Sequence, residues 1–147
     1  MKIAVYSQYY PGKSTICFEE LVSILKRENA ELLVESNFAE DYKNHLDGKF
    51  DLPSFVELDE SFDLLISIGG DGTILRAITF IKDFSIPIVG INTGRLGFLA
   101  TIQTDEVESA ISDIINGNFN ISERTLLSVK TNPANSNLQD INFALNE

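Results

Sequence analysis

Gly69-Gly70-Asp71-Gly72-Thr73 sets one carboxylate among three glycines. The apolar run Phe62 to Ile68 leads into it. Thr73 to Lys82 follows, with Ile74, Leu75, Ile78 and Ile81 at the spacing of one helix face. A strand that turns into a helix exposes backbone N–H groups and a positive dipole end at the turn, and both favour an anion. Glycines there permit positive φ and let a ligand approach the backbone. A carboxylate at the tip repels a phosphate placed directly on it, so its partner is a hydroxyl or a metal. The chemistry this set suits is phosphoryl transfer, with Asp71 orienting an acceptor hydroxyl beside a bound polyphosphate. The plainer reading is a tight turn in which Asp71 caps the helix, a role worth about 0.5–2 kcal/mol.

Other reactive residues offer less. Ser7-Gln8-Tyr9-Tyr10-Pro11-Gly12-Lys13-Ser14 imitates a phosphate-binding P-loop, but Ser7 stands where the motif needs glycine. Pro11 also removes one N–H from a loop that works by donating them. Ser14 as an N-cap, with Glu19 and Glu20 in the early helix, explains the segment without a ligand. Cys17 falls on an apolar helix face with Phe18, Leu21, Val22 and Leu25 and reads as core. The only histidine, His45, sits in the polar stretch Glu40 to Asp47 and reads as a surface residue. No zinc constellation and no Ser-His-Asp set is present, so no protein metal site is assigned.

The elements that must position Asp71 alternate. Lys2 to Ser7 reads as a buried strand, Ser14 to Glu28 as an amphipathic helix and Ala30 to Ser36 as a second strand. Asn37 and Glu40 form a capping pair for a short helix stopping near Gly48. Lys49 to Ser61, containing Pro53, reads as a loop. The strand Phe62 to Ile68, the glycine-rich turn and its helix follow, then a strand over Ile86 to Ile91 with Pro87 near its start. Asp105 and Glu108 open a further helix, with Val107, Ala110, Ile111, Ile114 and Ile115 on one face and Gly117 as its stop. This alternation predicts a three-layer α/β domain around a parallel sheet, its ligand crevice beyond the carboxyl ends of the strands.

After Gly117 the helical period disappears. Arg124 to Thr131 and Ile141 to Glu147 read as strands joined by a loop over residues 132–137. Leu126, Leu127, Ile141, Phe143 and Leu145 would give them an uncovered apolar face. The expected organisation is therefore an α/β N-terminal domain over 1–122 that carries the Gly-Gly-Asp-Gly-Thr motif. Residues 123–147 would begin an incomplete β-rich C-terminal domain, and the sequence stops abruptly after an apolar strand.

Composition sets the limits. A chain of 147 residues with 44% hydrophobic content can bury a genuine core. Its 22 acidic and 11 basic residues give a net charge of −11, which disfavours nucleic acid and anionic membranes as partners. A phosphate ligand must then be held by local N–H groups and a few placed cations. The lone cysteine, the absence of a signal-peptide pattern and the lack of a long apolar run suggest a cytoplasmic protein.

Gly69-Gly70-Asp71-Gly72-Thr73 resembles the turn of NAD kinases, of diacylglycerol and sphingosine-type lipid kinases, and of phosphofructokinases. Gly90-Ile91-Asn92-Thr93-Gly94-Arg95-Leu96-Gly97-Phe98-Leu99 resembles the segment that follows it in NAD kinases, where lipid kinases carry a different motif. Leu145-Asn146-Glu147 resembles the third NAD kinase signature, an Asn-acidic pair at a strand end. In this order the three motifs resemble the N-terminal portion of an ATP-NAD kinase. The resemblance implies an α/β domain of the NAD kinase and diacylglycerol kinase type that transfers the terminal phosphate of ATP to the 2′-hydroxyl of the adenosine ribose of NAD. It implies Asp71 as the catalytic carboxylate, and Gly72, Arg76, Phe98, Asn146 and Glu147 as NAD contacts. It further implies a divalent metal, most simply Mg²⁺, and a homo-oligomer completed by a second, mostly β domain. By itself this portion is expected to be inactive. Polyphosphate as donor stays open, and a lipid kinase or a non-catalytic nucleotide-binding fragment are the alternatives.

Overall fold

Short apolar runs bounded by polar or glycine-rich turns form the strands here, and apolar residues recurring every three or four positions form the helices. The computed structural model describes residues 1–8, 12–45, 50–82, 84–95, 97–128 and 143–145, with the side chains of His45 and Phe143 outside the description. The first half comprises β1 (Lys2–Ser7), α1 (Lys13–Arg27), β2 (Glu31–Glu35), α2 (Ser36–His45) and β3 (Ser54–Phe55). The second comprises β4 (Leu64–Gly69), α3 (Asp71–Ile81), β5 (Ile88–Asn92), β6 (Ile102–Gln103) and α4 (Val107–Ile115), with a 3₁₀ turn over Thr104–Glu106. Two short strands, β7 (Leu126–Ser128) and β8 (Phe143–Leu145), follow.

Six strands form one parallel sheet in the order β3-β2-β1-β4-β5-β6. Val5 pairs with Val34 on one side and Ile66 on the other, and Ile66 with Val89. Strand order reverses between β1 and β4, which opens a crevice beyond their carboxyl ends. On one face Ile3, Val5, Ile66, Ile68 and Ile91 pack against Phe18 and Leu21 of α1, Phe38 and Tyr42 of α2, and Ile111 of α4. On the other, Ala4, Tyr6 and Leu65 meet Ala77 and Ile81 of α3, closed by Phe55, Leu58, Phe62 and Ile86. The fold is the three-layer parallel α/β arrangement, with a small antiparallel β7–β8 sheet after it. Cys17 lies in the core as expected. Burial first, and then the charge of Glu20, push its thiol up to about 12.

Several local expectations are corrected. Gly12, not Ser14, is the N-cap of α1, and no acidic residue lies in that helix's first turn. Residues 9–11 of the P-loop imitation are outside the described residues. Glu35, from the end of β2, replaces the Asn37–Glu40 pair at α2: its carboxylate accepts the N–H groups of Asn37 and Phe38, each at 3.0 Å. The loop over 49–61 contains the edge strand β3, two residues long. Ahead of α4 the capping box is Gln103 with Glu106, not Asp105 with Glu108. Gly117 stops that helix at φ 75° as predicted. Leu126 and Leu127 of β7 are exposed, while Ile141 and residues 132–137 lie outside the described residues. Among the described residues no helix is long and apolar enough to cross a membrane.

Candidate active site

β4 delivers the chain into the crevice, and Gly69 makes the turn. Its φ of 154° belongs to glycine, and a Cβ there would stand 2.2 Å from Thr73 Oγ1. The N–H of Thr73 closes the turn on Gly70 O at 2.9 Å. α3 starts at Asp71 behind the N-cap Gly70, without a side-chain capping bond. Asp71 therefore does not cap its own helix.

Its carboxylate instead binds the segment after β5. Oδ2 accepts the Phe98 N–H at 2.8 Å, and Oδ1 accepts those of Leu99 and Ala100, each at 3.0 Å. Bonds from Ala100 first, then Phe98 and Leu99, hold the Asp71 carboxyl below the usual carboxylate range against the opposing effect of desolvation. Three donors leave one of a carboxylate's roughly four acceptor positions for a ligand hydroxyl. At neutral pH the group is thus an ionised, weakly basic acceptor.

The segment from Thr93 to Ala100 is a strap held at both ends. Asn92, at the end of β5 and buried, accepts the Gly94 N–H on Oδ1 at 2.8 Å. Its Nδ2 donates to Arg95 O at 2.8 Å and to Ala100 O at 3.4 Å. The Thr93 N–H reaches Gly69 O at 3.2 Å, tying the strap to the turn. Gly97 passes so close that a Cβ on it would lie 2.2 Å from Asp71 Oδ1. The Phe98 side chain, held by none of these bonds, is 84% exposed. A core role for Phe98 is thereby excluded. Leu96 lies outside the described residues.

Two further bonds gather the neighbouring elements. Ser7 Oγ donates to Ile68 O at 3.0 Å across the point where strand order reverses. Ser14 Oγ and Thr93 Oγ1 are hydrogen-bonded at 2.9 Å, which brings the start of α1 to the end of β5. The N-termini of α1 and α3 thus come near one another at the crevice; Lys13 on α1, Arg76 on α3 and Arg95 on the strap are exposed.

Of the residues named from the sequence, the structure brings Asp71 and the Phe98 backbone into direct contact. Gly72 is exposed beside them, with open space where a Cβ would be. Arg76 is exposed on α3. Asn146 and Glu147 lie outside the described residues. Sequence reasoning overlooked Asn92 and Gly97 as structural parts of the site. The signal available for both was their place in the Gly90 to Leu99 segment.

Comparison with known proteins adds relatives in sequence and in fold. A family model described as the ATP-NAD kinase N-terminal domain matches residues 12–119. An NAD kinase of Flavobacterium johnsoniae is 41% identical over 157 aligned residues, covering 100% of this chain and 51% of that protein. The NAD kinase of Methanothermobacter thermautotrophicus is 32% identical, covering 100% of this chain and 48% of its own length. The chain spans about half the length of the curated relatives it matches. Among solved structures, yeast NADH kinase complexed with NADH superimposes with a TM-score of 0.71 over 98% of this chain and 45% of that one. At 20% identity that likeness speaks for the fold.

Proposed function

This chain belongs to the ATP-NAD kinase family, and on that premise we propose that the protein carrying it transfers the terminal phosphate of ATP to the 2′-hydroxyl of the adenosine ribose of NAD, giving NADP. One observation carries the reading at the level of chemistry. A carboxylate at the glycine-rich turn is anchored by three backbone N–H groups and keeps acceptor capacity for a single hydroxyl.

In this reading the ribose hydroxyl donates its hydrogen bond to Asp71, which fixes the oxygen's lone pair toward the donor phosphate. Because its N–H bonds weaken it as a base, Asp71 contributes orientation first and proton acceptance only as the bond to phosphorus forms. That order suits a loose phosphoryl-transfer transition state, in which positioning and charge stabilisation dominate. Backbone N–H groups at the starts of α1 and α3, with Lys13 and Arg76, would receive phosphate charge. Phe98 would offer its exposed ring to the dinucleotide, and Gly72 its open backbone. Asn146 and Glu147 would add ribose or adenine contacts.

A divalent ion, Mg²⁺ in the simplest case, fits as a companion of the donor. Among the described residues no three His, Cys, Asp or Glu side chains are grouped to hold a metal. Mg²⁺ commonly sits on substrate phosphates and water with only one or two carboxylates. Its chemistry is to neutralise charge on the donor phosphates. We place catalysis with a homo-oligomeric, cytoplasmic protein of the relatives' length, in which residues 1–122 form the α/β domain and 123–147 enter a β-rich second domain. NADP formation from NAD, ATP and Mg²⁺ tests the proposal.

A further inference from the structure

An aspartate orients a hydroxyl only when one of its oxygens is aimed, and nothing in the side chain itself does the aiming. Its terminal torsion is broad and close to two-fold, so partners set the plane of the carboxylate. At Asp71 the partners are unequally divided. Oδ1 takes the N–H groups of Leu99 and Ala100, each at 3.0 Å, which uses both of its lone pairs. Oδ2 takes only the Phe98 N–H, at 2.8 Å, so the free acceptor position lies on Oδ2. The rotation that aims Oδ2 is thus fixed largely at Oδ1.

Ala100 is bonded at both of its backbone groups. Its N–H goes to Asp71, and its carbonyl accepts from Asn92 Nδ2 at 3.4 Å. The same nitrogen donates to Arg95 O at 2.8 Å, while Asn92 Oδ1 accepts the Gly94 N–H at 2.8 Å. One side chain therefore ties the start of the strap to its end, and the stretch between lies against the Asp71 carboxylate. Asn92 is 2% exposed, so water is a poor substitute for these bonds. A side-chain amide supplies two donors and an acceptor in one plane. An ionised aspartate at this position supplies no donor, and a serine supplies one.

We infer that Asn92 is a positioning residue for phosphoryl transfer: by holding Ala100 it sets the rotation of the Asp71 carboxylate and so directs Oδ2 at the acceptor hydroxyl. The hydroxyl rests on the kinase reading above. The link from Asn92 to the Asp71 carboxylate does not.

The test follows amide hydrogen exchange over Phe98 to Ala100 and steady-state kinetics in full-length protein, comparing wild type with Asn92→Ser and Asn92→Asp. Asn92→Asp keeps the shape and the acceptor for Gly94 but loses both donors; if either variant does not fold, the other carries the test. Exchange over Phe98 to Ala100 is expected to quicken about tenfold, with β5 unchanged. Per folded site kcat should fall about tenfold and KM for NAD should rise, while KM for ATP stays within about twofold. Unchanged exchange in a folded variant overturns the inference. So does a fall in kcat with both KM values unchanged, which marks support of the fold alone, and so does an equal rise in both KM values. If wild type forms no NADP while exchange quickens in the variants, the link from Asn92 to Asp71 stands and the kinase reading falls.

Discussion

Asp71 Oδ1 lies 3.0 Å from the backbone nitrogen of Ala100, so the carboxylate at the tip of the glycine-rich turn is bonded to the loop that follows the next strand. With the Phe98 and Leu99 bonds, this makes Asp71 both a candidate reactive group and the anchor of the strap that displays Phe98. Perturbing Asp71 is therefore expected to disturb chemistry and strap together, and a change in the strap reaches the carboxylate through the same three bonds.

Asp71→Asn keeps the shape but turns one acceptor oxygen into a donor facing backbone N–H groups. In the full-length protein turnover is expected to fall about 100-fold or more. Stability should fall by only about 1 kcal/mol, because the site is partly exposed and solvent screens the lost charge. Steady-state kinetics and thermal unfolding of one sample check both. Near-normal turnover in a folded variant would return Asp71 to a purely structural role.

Gly97→Ala strains the bonds between strap and carboxylate while keeping the charge of Asp71. Its methyl group would meet the carboxylate at 2.2 Å, so the strap or the Asp71 side chain must shift. The expected cost is about 1–3 kcal/mol of stability, with KM for NAD rising more than kcat falls. If NAD kinetics are unchanged while stability drops, the strap does not shape the acceptor site.

The pH dependence follows from the direction of the Asp71 shift. Its folded pKa lies below the unfolded value, so its contribution to stability is full above the unfolded value and is lost as pH falls through the folded one. Across neutral pH the carboxylate stays ionised, and the profile of kcat/KM for NAD should carry no Asp71 ionisation there. A neutral-range ionisation seen in wild type and absent from Asp71→Asn would show a titrating base instead.

Much of this architecture is legible in the residues. β1, β4 and β5 are apolar runs that end at polar or glycine-rich turns, and α3 and α4 carry clear helical periods, so the sheet core and the place of the turn follow directly. What escapes is pairing that leaves no local trace. β3 and β6 are two-residue edge strands, defined by their neighbours rather than by composition. The partners of Asp71 are backbone N–H groups 27–29 positions away, which side-chain identities do not announce. Glu35 caps α2 from inside a strand, and Asn92 braces the strap from a position that reads as an ordinary strand end. In each case a polar side chain serves backbone brought near by the fold.

The most direct test of the central claim is product analysis. Full-length protein incubated with NAD, ATP and Mg²⁺ is expected to form NADP and ADP in equal amounts, with Asp71→Asn nearly silent under the same conditions. Accumulation of a phosphorylated lipid or sugar from parallel incubations, with NAD left untouched by active protein, would contradict it.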